Sequence, residues 1–157
     1  MVSKGEDIHV IIVLIMTLML LTISLSGCLE DDEEDPVNLE FERIANDVSN
    51  QRIIEGNVSI INNRSEAEEL LNSILSRNET EEAIGNVSFE NKTMVVVTMR
   101  AGSSGVYLNI QEITMKNGHV SIYAKRTSAE IVQPVIRYPY DIIVTEDIDP
   151  DEISLWY

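Results

Sequence analysis

Residues 106–125 read VYLNIQEITM, then KNG, then HVSIYAK. Two alternating stretches flank an Asn-Gly pair, a strong hairpin signal because both residues tolerate positive φ. In the second arm Val120, Ile122 and Ala124 share one face, and Ser121, Tyr123 and Lys125 share the other. The predicted hairpin therefore separates an apolar face from a polar one.

Outward from the hairpin, Met94 to Arg100 is nearly continuous in apolar residues, the pattern of a central strand covered on both faces. Tyr140 to Thr145 reads as a further strand. Glu152 to Tyr157 either pairs at an edge or trails along the surface. Upstream, Asn38 to Ala45 reads as a strand with Leu39 and Phe41 on one face. Arg52 to Ile61 reads as extended, with Gly56 marking a bulge or turn. Between these lies a predicted helix over Ser65–Arg77. Ala67, Leu70, Leu71, Ile74 and Leu75 form one apolar stripe, and Ser65 with Glu68 makes a capping-box pattern. Thr80 to Ile84 adds a short turn ended by Gly85. The fold class expected is α+β, a mostly antiparallel five- or six-stranded sheet with one main helix packed on a face.

The amino terminus gives the address. Met1 to His9 is polar with one lysine, Lys4, and Val10 to Leu25 is almost wholly apolar. Leu25-Ser26-Gly27-Cys28 closes that stretch with the only cysteine in the chain. This arrangement resembles the lipobox of prokaryotic lipoproteins, in which the chain is cut before the cysteine and its sulfur receives a lipid. The apolar core is short for a bilayer interior of about 30 Å at about 1.5 Å per residue. An uncleaved anchor from Ile8 to Leu29 would just reach across, carrying His9. Both readings put the rest of the chain outside. The expected division is a signal peptide over 1–27, lipidated Cys28 with an acidic linker over 28–36, and a single domain over 37–157. Lipidation at Cys28 would fix the protein to the extracytoplasmic face of the cell membrane.

Glu30-Asp31-Asp32-Glu33-Glu34-Asp35 follows the cysteine and ends at Pro36. Adjacent carboxylates repel one another and bury nothing, so this run reads as an extended spacer. The whole chain carries 27 acidic and 11 basic side chains, a net charge of −16, and loss of Lys4, Glu6 and Asp7 with the leader leaves −15. That balance excludes nucleic acid as a natural partner, since phosphate binding needs lysine and arginine clusters. Asn-x-Ser/Thr sequons begin at Asn57, Asn63, Asn78, Asn86 and Asn91, where chance would place roughly two. These are candidate glycosylation sites, and with the lipobox and the acidity they fit an archaeal cell-surface glycoprotein.

Three short stretches resemble the C-terminal domain family of the protease-complex subunit PrcB. SFENKTMVVVTM is similar to that family's phenylalanine, polar turn and hydrophobic strand, at Phe89 and Met94 to Val97. SSGVYLNIQEI looks like its Thr-Gly-Gly-Tyr followed by alternating apolar residues, and places Ser104, Gly105, Val106 and Tyr107, then Ile110 and Ile113. YPYDIIV resembles its closing Pro-Tyr and strand, at Pro139 and Tyr140. The likeness spans roughly Ser65 to Glu146. Val106 replaces the second glycine, so the turn there must differ. The resemblance implies a non-catalytic subunit that stabilises a protein partner, a protease in that family.

The residues themselves offer little for catalysis. Once the leader is removed, His119 is the sole histidine and no cysteine but Cys28 remains, which leaves no typical zinc set and no evident nucleophile–base pair. Asp147/Asp149 and Asp151/Glu152 lie in a charged tail. No enzyme activity, no cofactor and no metal is expected. The surface expected to meet a protein partner is the 101–107 loop with the closing Pro-Tyr: Ser103, Ser104, Gly105, Tyr107, Pro139 and Tyr140. Two rival readings stay open, a protease inhibitor using the same loop and a small-molecule-binding or structural envelope lipoprotein.

Overall fold

The computed structural model describes residues 35–49, 57–101, 105–129 and 135–157. The leader, Cys28, the carboxylates of 30–34, Arg52 to Gly56, Ser103 and Ser104 lie outside the described residues. Among the described residues ten elements follow in order: β1 (Val37–Asn38), β2 (Phe41–Ser49), β3 (Val58–Ile61), α1 (Arg64–Asn72), α2 (Arg77–Gly85), β4 (Lys92–Thr98), β5 (Val106–Lys116), β6 (His119–Ser128), β7 (Tyr138–Glu146) and β8 (Glu152–Trp156). The class is α+β, as expected. The single five- or six-stranded sheet is instead two four-stranded sheets, ordered β1-β5-β6-β8 and β2-β7-β4-β3. All strand pairs are antiparallel except β6 with β8.

Three layers result, and strand parity explains them. On β4 and β7, Met94, Val96, Ile142 and Val144 face the helices and pack with Ala67, Leu71, Ile74, Leu75 and Ile84. The alternate residues Val95, Val97 and Ile143 face the other way and pack with Leu108, Ile110, Ile113, Val120, Ile122 and Ala124 of the second sheet. The β2-β7-β4-β3 sheet is thus the inner layer, apolar on both faces. The β1-β5-β6-β8 sheet is the outer layer, with its far face in solvent.

The expected helix over 65–77 is two helices. Its apolar stripe continues unbroken, but Ser73 caps α1 and Ser76 starts α2 with a reciprocal capping box to Glu79. Hydrogen bonds to the Ser76 hydroxyl and N–H hold the Glu79 carboxyl below its usual value. The first helix is capped by Asn63, whose side chain accepts from the Glu66 N–H, rather than by Ser65. The turn expected at 80–84 is part of α2.

Buried polar groups join the two sheets. Asp141 is fully buried on β7 and accepts from Arg43 Nε on β2 (2.9 Å) and from the Ile110 N–H on β5 (2.6 Å). Arg43 Nη2 also donates to Ile110 O (2.6 Å), and Asn46 Nδ2 donates to Leu108 O. These side chains satisfy the backbone of β5 along the margin where short β1 no longer reaches it. The register shifts between Arg43 and Ala45, and again between Ile110 and Glu112. The second shift brings both Ile110 and Ile113 inward despite their odd spacing.

Candidate functional site

The hairpin of β5 and β6 turns at Asn117 (φ 50°) and Gly118 (φ 75°), as the Asn-Gly pair predicts. A Cβ on Gly118 would lie 2.5 Å from Asp151 Oδ2. The Gly118 carbonyl accepts the Asp151 N–H (2.9 Å), which seats β8 beside β6. Because Val120, Ile122 and Ala124 point into the core, Ser121, Tyr123 and Lys125 point out. β8 lies in register with β6, so Glu152 stands beside His119 and Trp156 beside Tyr123.

The outer face therefore gathers aromatic and polar side chains. Tyr107 is 43% exposed, Tyr123 42% and Trp156 55%. A recess of about 590 Å³ opens among Asn38, Thr114, Lys116, His119, Ser121 and Tyr123. His119 Nδ1 lies 3.1 Å from Glu152 Oε2 at its rim. Charges on this face alternate: Glu112, Lys116, Lys125 and Glu152 balance one another. The helical layer is different, with Glu66, Glu68, Glu69, Glu79, Glu81 and Glu82 against Arg64 and Arg77. Such a face can stack on apolar groups and exchange hydrogen bonds without repelling an acidic ligand or a basic one.

The surface expected from the sequence is assembled only in part. Main-chain bonds bring the strand ends together: Met99 N–H to Pro139 O, Ala101 N–H to Arg137 O, and Ala129 N–H to Gly105 O. Gly105 takes the positive φ (72°) and Val106 starts β5 buried. Pro139 and Tyr140, however, are buried. Tyr140 faces the helices within their core, and burial, with Asp47 and Glu79 nearby, pushes its hydroxyl up to about 12. Neither side chain is available as an anchor. Tyr107 is exposed, but on the outer sheet face. Tyr123 and Trp156 were missed; the outward alternation of residues 119–125 signals the first, and only the parallel pairing of β8 reveals the second.

No family model, no curated protein and no solved structure matches the chain.

The five sequon asparagines are all exposed. Asn63, Asn78 and Asn86 lie at or within α1 and α2, Asn91 precedes β4, and Asn57 precedes β3. None falls on the outer sheet. Thr80 and Thr93, the hydroxyl residues of the Asn78 and Asn91 sequons, are buried. Among the described residues there is no cluster of three or more metal-ligating side chains, and no helix is long and apolar enough to cross a membrane.

Proposed function

We propose that this chain is a lipid-anchored extracytoplasmic protein whose domain binds or stabilises a protein partner, with a protease as the first candidate. The anchor rests on Leu25-Ser26-Gly27-Cys28. The protease rests on the resemblance to the PrcB C-terminal family. The observation that carries the binding role is the outer face: Tyr107, Tyr123 and Trp156 stand exposed on a charge-balanced sheet in a chain of net charge −16. Exposed aromatic side chains on such a face are what interfaces use as anchors. Docking is assigned to this face rather than to Pro139 and Tyr140. Catalysis by the chain, a cofactor and nucleic-acid binding form no part of this reading.

The test is a capture from solubilised membranes with the wild-type chain and with a Tyr123→Ser/Trp156→Ser double variant of unchanged thermal stability. A stoichiometric partner retained by the first and lost by the second is expected. Equal recovery by both would sink the assignment. Cys28→Ser should release the protein from the membrane fraction, and mass spectrometry of the wild type should find a lipidated amino-terminal cysteine. Adding the purified protein to a captured protease separates a stabiliser from an inhibitor, since the inhibitor lowers peptide turnover. The recess favours one rival, a small-ligand receptor, for which binding would survive without any protein partner.

A further inference from the structure

β8 closes the outer sheet on one side, and among the described residues β6 is its only strand neighbour. The Glu152 N–H reaches Gly118 O (3.4 Å). Alternation then turns the N–H and C=O groups of Ile153 and Leu155 away from β6, along the open edge. Soluble proteins blunt such edges with lysine, proline or a bulge. The β8 sequence EISLW has neither residue and pairs without a register shift, and its single charge, Glu152, is engaged by His119. Ile153 is aligned with fully buried Val120, yet is 40% exposed. Hydrogen-bonding backbone and an inward-facing apolar side chain thus lie uncovered on the same edge.

We infer that β8 pairs antiparallel with β8 of a second copy, about a two-fold axis at Ser154. Read against itself, the strand sets Glu152 opposite Trp156, Ile153 opposite Leu155, and Ser154 opposite Ser154. The inner face then joins Ile153 to the second copy's Leu155 and extends the core beneath the sheet. The outer face opposes no like charges. Sliding the register by two residues toward the turn would instead bring Asp151 against Leu155. This self-complementarity is what favours a second copy over a foreign strand, because a two-fold interface uses one patch twice. Charge does not oppose it. The acidic helices lie on the far side of the inner sheet, and at physiological salt repulsion fades over about 8 Å. The pairing also completes the outer face, since the second copy's Trp156 arrives beside Glu152 and the recess of the first.

Ser154→Cys in the full chain tests the geometry. Non-hydrogen-bonded residues directly opposed across an antiparallel pair bring their Cβ atoms within disulfide reach. Ser121→Cys, one strand further in on the same face, is the control, and the wild type with Cys28 alone sets the background. Mild oxidation in detergent should give covalent homodimer at about tenfold or more the yield of either control. Ile153→Lys added to Ser154→Cys should abolish that crosslink, and Ile153→Lys alone should halve the sedimenting protein mass. Its melting temperature should stay within about 2 °C of wild type, which shows that the fold is kept. A crosslink no stronger than that of Ser121→Cys, one that survives Ile153→Lys, or one to a different protein would overturn the pairing. The crosslink needs no partner protein, so its failure leaves the partner-binding reading standing, and failure of the capture experiment leaves the dimer standing.

Discussion

The inner sheet is covered on both faces and the outer sheet on one, and their strands differ accordingly. In β4 four consecutive side chains, Met94 to Val97, are buried. In β6 buried Val120, Ile122 and Ala124 alternate with outward Ser121, Tyr123 and Lys125. A strand that is apolar on both faces can contribute only to stability. A strand that is apolar on one face leaves the other free to recognise something. The difference between the sheets is set at the level of periodicity, and the polar joint at Asp141 links them.

Substitutions should separate the two roles. Ile143→Ala, in the inner sheet between the two cores, should cost about 4 kcal/mol, read from denaturant unfolding. Asp141→Ala should cost about 3 kcal/mol, because it strands the Ile110 N–H and the partly exposed Arg43 guanidinium without their acceptor. If Asp141→Ala costs less than a surface change, the joint between the sheets is not what holds them. Ser76→Ala, at the break between the helices, should cost about 1 kcal/mol at neutral pH.

The carboxyl of Glu79 is lowered from 4.5, so its share of that cap is present above this value and is lost as pH falls through the lowered one. The difference between wild type and Ser76→Ala should therefore shrink in acid. Tyr140 behaves with the opposite sign. Its hydroxyl is raised from 10.0 to about 12, so stability should fall as pH rises between those values, where the unfolded chain ionises first. Tyr140→Phe should flatten that part of the alkaline stability profile. Last, Tyr123→Ser on the outer face should change stability by no more than about 0.5 kcal/mol. A large loss there would mean that this face is structural and would erase the contrast between the sheets.

The hairpin was legible because its information is local: two residues that accept positive φ between two arms of period two. The covering of β4 on both faces was legible from composition. That the covering comes from a second sheet was not, because partners that join the sheets, such as Arg43 and Ile110, are 67 residues apart. The break between α1 and α2 was hidden for a different reason. Leu71, Ile74 and Leu75 keep helical spacing across it, and the Leu75 N–H still bonds to Leu71 O (2.7 Å). Capping at Ser76 outweighs periodicity there. Tyr140 misled because a strand buried on both faces carries no parity signal, so its ring could not be assigned a side. Trp156 was out of reach until β8 was placed beside β6.

The position of β7 also bears on how the chain is made. β7 lies between β2 and β4, and it is made after both. Until it arrives, Phe41 to Ser49 has no strand to lie against and the inner sheet is two separate pieces. The two pieces of the inner sheet must therefore wait for this one later segment to bring them together.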